Sequence, residues 1–105
     1  MNIATLRSSS IKNKRDLVSY YSEQFPKAFI VAEINEIIKI TRNISPGNVI
    51  FSKSISTQEV LRFIHNNGLP NDYILSDEMI LKLDQVKKIV AEERALHRVA
   101  KADKQ

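Results

Sequence analysis

The stretch STQEVLRFIHNNGLPNDYILSDEM, residues 56–79, carries the sharpest local punctuation in the chain. Ser56, followed three positions later by Glu59, forms a capping box: the serine hydroxyl and the glutamate carboxylate each accept from the other residue's backbone N–H. Ile55 before the cap and Val60 after it make a hydrophobic staple. The stop is as well marked. Gly68 supplies a positive φ, Leu69 can reach back to Ile64, and Pro70 blocks continuation in the manner of a Schellman end. The spacing predicts a helix over 57–67, with Val60, Leu61, Phe63 and Ile64 inward and Arg62, His65, Asn66 and Asn67 outward. A further helix begins after Ser76, an N-cap followed by Asp77 and Glu78, where acids favour the helix dipole.

Helix, stop and helix in a basic chain raise the question of a DNA-reading helix-turn-helix. That motif uses a turn of three or four residues and offers the N-terminal end of its second helix to the major groove. Here Gly68 to Ser76 is nine residues, and the second helix opens with acids that repel phosphate. The stretch therefore reads as two packing helices, with Arg62 as a residue that can still touch DNA. Ser56, Glu59, Val60, Phe63, Asn67, Leu69 and Pro70 together resemble the short amphipathic helix, stop and second helix of the late-transcription co-activators of T-even-like phages. The resemblance implies a protein that docks on host RNA polymerase. It stops at residues 56–70: that family ends in an acidic, hydrophobic clamp-binding segment, whereas this chain ends in a basic, polar one, and membership is not assigned.

Upstream, Asn13 is an N-cap for a helix over 14–24, with Asp16 in its first turn and Leu17, Tyr21 and Phe25 on one face. Pro26 bends the chain and starts a second helix over 26–43, whose stripe is Ile30, Ile34, Ile37, Thr41 and Ile44. The β-branched run around Ile37–Ile40 also alternates like a strand, and SPGN, residues 45–48, has the form of a type II turn. A hairpin over 38–53 is thus the alternative to a helix followed by an extended linker. Type II turns splay hairpin strands, which favours the helix. Downstream, Met79, Leu83, Val86 and Val90 give a core stripe for a helix over 77–100, beyond which the apolar positions thin to Leu96 and Val99.

The expected fold is mainly α: a single-domain bundle of about four helices, which a chain of this length can stabilise with one modest core. The alternative is α+β with the hairpin at 38–53. Residues 1–12 read as a flexible basic arm, 13–93 as the helical domain, and 94–105 as a basic, projecting helix end and tail. Its 105 residues are 43% hydrophobic and 27% charged, an ordinary globular balance. The longest apolar run, Ala28–Ala32, falls far short of the roughly 20 residues that span a bilayer, so no membrane partner is expected. The chain has no cysteine, which excludes disulfides and thiolate metal sites and suits a reducing cytoplasm.

Charge gives the functional expectation. Arg7, Lys12, Lys14 and Arg15 put four cations and no acid in residues 1–15, equal to the whole net charge of +4. Residues 71–93 are acidic, and Arg94, Arg98 and Lys101 then make a basic face at the end of the last helix. Two basic ends around a near-neutral middle suit a phosphate backbone. The leading expectation is a small nucleic-acid-associated protein of regulatory or architectural type, acting in transcription and binding DNA ahead of RNA through Arg7, Lys12, Lys14, Arg15, Arg62, Arg94, Arg98 and Lys101. The alternatives are a ribonucleoprotein subunit and an adaptor that docks on a larger enzyme such as RNA polymerase, or on itself, through Leu96 and Val99. No cofactor or metal is expected. Glycine occurs only at 47 and 68, so no phosphate-cradling loop can be written, and His65 and His97 lack partners at ligand spacing; an enzyme is not expected.

Overall fold

The structure is a computed structural model that describes residues 3–102, excluding the side chains of Pro46 and of residues 96–102. Its elements in chain order are β1 (Ala4–Leu6), α1 (Lys14–Tyr21), α2 (Lys27–Arg42), α3 (Pro46–Phe51), α4 (Thr57–Asn67), β2 (Tyr73–Leu75) and α5 (Asp77–Ala102). The fold is mainly helical, as expected, with a two-stranded sheet added. Helix α4 lies between α2 and α5 and packs on both, and α1 and α3 pack on α2. Leu17, Tyr21, Ile30, Ile34, Ile38, Leu61, Phe63 and Met79 form the centre of one core.

Four helices stand where the sequence puts them, with ends that shift for local reasons. Asn13 caps α1 by accepting from the Asp16 N–H at 2.8 Å, and the Asp16 carboxylate accepts from the Lys12 N–H at 3.1 Å. Helix α1 ends at Tyr21 and not Gln24, because the Gln24 and Phe25 N–H groups both turn back onto the Tyr21 carbonyl. Pro26, expected as the first helical residue, is instead the N-cap of α2 with extended backbone, so the helix starts one position later than expected, at Lys27. Helix α2 runs to Arg42 and closes on Asn43 at φ 51°, ψ 49°, a left-handed stop that asparagine tolerates.

The hairpin over 38–53 does not form. SPGN is the start of α3 and not a type II turn: Ser45 is the N-cap, Pro46 occupies the first turn, and the Asn48 and Val49 N–H groups donate to the Ser45 carbonyl. A proline just inside a helix start satisfies the same sequence pattern as a proline at the second turn position. Residues 3–12 are likewise built into the body and are not a free arm. β1 pairs in parallel with β2, Ala4 opposite Tyr73 and Leu6 opposite Leu75, and Leu6 and Ile11 are buried. The Ser76 N–H donates to the Leu6 carbonyl at 3.0 Å, which fixes the N-terminal segment at the start of α5.

The capping box at α4 is present, and its glutamate does more than cap. Glu59 is 2% exposed. Its carboxylate accepts from the Ser56 N–H at 2.9 Å, the Thr41 hydroxyl at 2.7 Å, and the Arg42 guanidinium through both Nε at 2.9 Å and a terminal nitrogen at 2.8 Å. Burial alone raises a carboxyl pKa, but the bonds from Arg42, Ser56 and Thr41 outweigh it and hold Glu59 below its ordinary range. At the other end of α4, Gly68 has φ 87° and ψ 175°, so the positive φ is there but the left-handed Schellman geometry is not. That extended, positive-φ conformation belongs almost entirely to glycine. The Gly68 N–H donates to Ile64 at 2.7 Å, and the Tyr21 hydroxyl donates to the Gly68 carbonyl at 2.7 Å, which ties α1 to the end of α4.

Two stability outcomes follow from these contacts. Glu59→Gln faces its new amide donor towards existing donors and removes one charge of a buried pair, which should cost about 3 kcal/mol and lower Tm by on the order of 10 °C at neutral pH. Because the folded pKa of Glu59 lies below the unfolded one, its contribution is present above the ordinary glutamate range and is lost as pH falls through the lowered folded value. Thermal melts from pH 7 down to about 2 should therefore show a smaller acid destabilisation in Glu59→Gln than in the parent; equal acid sensitivity would contradict the role given to Glu59. A Cβ at Gly68 meets no neighbour within 4 Å, so Gly68→Ala should lose about 1–3 kcal/mol through backbone strain alone. An unchanged denaturant midpoint for Gly68→Ala would refute that assignment.

Candidate docking surface

The structure describes part of each of the two basic ends expected to contact a phosphate backbone. Arg7, Lys12 and Arg15 are exposed. Arg7 adjoins Leu6, held at the start of α5, whereas Arg94 lies eighteen residues beyond Ser76 along that helix, roughly 27 Å at 1.5 Å per residue. Arg94 is also exposed, but the two basic ends do not meet. The side chains of Arg98, Lys101, Leu96, Val99 and His97 lie outside the described residues.

Arg62 is not the outward residue the helix pattern suggests. Its side chain is 11% exposed and grips Glu93 of α5 with two guanidinium nitrogens, at 2.9 and 3.3 Å. That hydrogen bonding holds the Glu93 carboxyl below its ordinary range. The pair locks α4 to α5, and phosphate contact would have to break it. Asn67, also expected outward, donates to the Glu33 carboxylate at 3.1 Å and so connects α4 to α2.

What the fold does assemble is a groove of about 530 Å³ bordered by α1, α2, the end of α3 and the segment after it. Val18 of α1, Val31 of α2 and Ile50 of α3 make its apolar floor. Lys14, Arg15, Lys27 and Lys53 stand around that floor, and no acidic side chain is among the described lining residues. The placement of these cations comes from backbone stapling. Asn13 bridges Ser54 in antiparallel fashion, the Lys14 N–H donates to the Lys53 carbonyl, and the Ile55 N–H donates to the Lys12 carbonyl, each at 3.0 Å. Lys14 and Lys53, far apart in sequence, become neighbours.

The Lys14 ammonium reaches into this site and donates to the Val49 carbonyl at 2.9 Å. Partial burial, and then the nearby Arg42 cation, lower its pKa from the usual lysine value. Ile50 on the groove is 70% exposed and its neighbour Phe51 81% exposed, the largest exposures among the described large hydrophobic residues. Both sit on α3, the short helix that the turn reading of SPGN removes. Lys27 and Lys53 flank helix ends and Val31 lies on the flank of the α2 stripe, so none carries a linear signal; the exposed Ile50–Phe51 pair in a short β-branched segment is the one cue the sequence offers.

Among the described residues no group of histidines and carboxylates is arranged to hold a metal ion, and no helix is long and apolar enough to cross a membrane. The groove presents apolar surface and positive charge together. Comparison with protein-family models, curated proteins and solved structures gives no match.

Proposed function

We propose that this protein acts by occupancy, as a small adaptor that docks on a larger protein machine, and that α3 with the adjoining groove is its docking surface. The observation that carries this reading is the exposure of Ile50 and Phe51 beside a groove whose floor is apolar. Removing a side chain of that size from water on association is worth roughly 1.5–3 kcal/mol, and aromatic residues in such settings dominate interface energies. RNA polymerase is the machine to test first, because residues 56–70 resemble the co-activators that bind it. A role in transcription is consistent with either that partner or the nucleic acid it carries.

The test is binding of the full chain to purified bacterial RNA polymerase core, followed by interferometry and by co-elution in gel filtration. Association should weaken about tenfold or more in Phe51→Asp, with an unchanged thermal melt. No association by the parent chain would remove RNA polymerase as the partner, and association untouched by Phe51→Asp would remove α3 as the docking surface.

A second reading is kept by a different observation: Arg7, Lys12 and Arg15 are exposed on a chain of net charge +4. Here the protein is nucleic-acid associated through the phosphate backbone, in a regulatory, architectural or ribonucleoprotein setting. Neutralising two to four phosphates gives a log–log salt slope of about −2 to −4 on duplex DNA. Anisotropy titrations of duplex DNA and single-stranded RNA at several salt concentrations decide it, and an affinity indifferent to salt ends this reading.

A further inference from the structure

We infer that the groove between α1, α2 and α3 receives an acidic segment of a partner protein that inserts a bulky apolar side chain between carboxylates. This rests on the adaptor reading and specifies what the partner presents. Two properties of the groove select that chemistry. The first is charge: Lys14, Arg15, Lys27 and Lys53 line it without an acid among the described lining residues, so an acidic ligand gains attraction and a basic one is repelled. The Lys14 ammonium is held in place by the Val49 carbonyl and is thus partly ordered before the ligand arrives.

The second property is the floor. Val18, Val31 and Ile50 offer no polar group, and only a ligand with its own apolar body can replace the water above them. A nucleic-acid backbone satisfies the cations and leaves that floor uncovered. A fatty acid covers the floor but brings one carboxylate to four cations. An acidic peptide with an apolar anchor matches both.

The experiment uses fluorescence polarisation with the full chain. The probe is a short labelled peptide of alternating glutamate and leucine or phenylalanine; companions carry glutamine for every glutamate, or alanine for every leucine and phenylalanine. Labelled duplex DNA and unlabelled dodecanoate are tested alongside. The acidic-apolar probe should bind, each companion should bind about tenfold or more weakly, and the doubly reversed variant Lys27→Glu/Lys53→Glu should lose about tenfold or more. Ile50→Ser, at an exposed position, should weaken the same probe, and both variants should keep the parent's circular dichroism and melting curve.

Absence of probe binding overturns the inference, as does equal binding of the alanine companion, binding indifferent to the charge reversal, or displacement of the probe by duplex DNA or dodecanoate at comparable concentration. The two proposals fail separately. Polymerase association without probe binding leaves the adaptor and removes this groove chemistry, whereas probe binding without polymerase association supports the groove and requires a different machine.

Discussion

The carboxylate of Glu59 is the point through which the middle of the chain is organised. It sits almost fully buried on α4, yet its donors come from two places, the end of α2 through Thr41 and Arg42 and the linker through the Ser56 N–H, and the Arg42 guanidinium also donates to the linker's Ser54 carbonyl at 2.8 Å. A buried anion without those partners would carry a penalty of several kcal/mol, so the segment between α2 and α4 cannot drift without exposing or orphaning it. The gain is in geometry more than in net energy, since a buried pair roughly offsets its own desolvation. By fixing residues 42 and 54–59, the clamp sets the path of everything between them. Helix α3 is what lies between.

That constraint explains why so short a helix has a defined place. Six residues cannot hold a helix by their own propensity. α3 is tethered on one side by the stop at Asn43 and on the other by the ladder contacts of Lys53 and Ser54 with residues 13 and 14, and Val49 anchors its inner face in the core. Ile50 and Phe51 are then left largely exposed. Their exposure is imposed by the tether geometry, and two large apolar residues held outward in this way gain burial only if another molecule supplies it.

Much of the helical plan is legible in the sequence because its signals are short in range. Asn13, Ser56 and Ser76 cap the helices they appear to cap, and Ile30, Ile34, Ile37 and Ile38 bury the face their spacing marks out. What is not legible is long in range or too short to be periodic. β1 and β2 are three residues each, below the length at which alternation can be read, and their parallel pairing joins residues about seventy positions apart. Arg62 shows the limit in a single residue. The helix pattern places it outside the α4 stripe, correctly for α4 alone, but α5 passes on that side and brings Glu93 to it. Only the packing of two helices makes that arginine structural.

The same limit governs the functional reading. Counted along the chain, positive charge concentrates at the two ends, and a linear polyanion is the natural partner for such a pattern. In the fold the ends are held apart by the length of α5, while Lys14 and Arg15 from one end are joined by Lys27 and Lys53 from the middle, around an apolar floor. Attraction of a phosphate backbone depends on the number of cations it can neutralise at once, whereas selection of a ligand depends on which groups surround the same few ångströms. The separated ends therefore contribute a diffuse field that draws anions of any kind towards the molecule. In the groove the cations surround an apolar floor, so an anion can be distinguished there by the apolar group it carries, and that distinction is the basis of the docking-adaptor proposal.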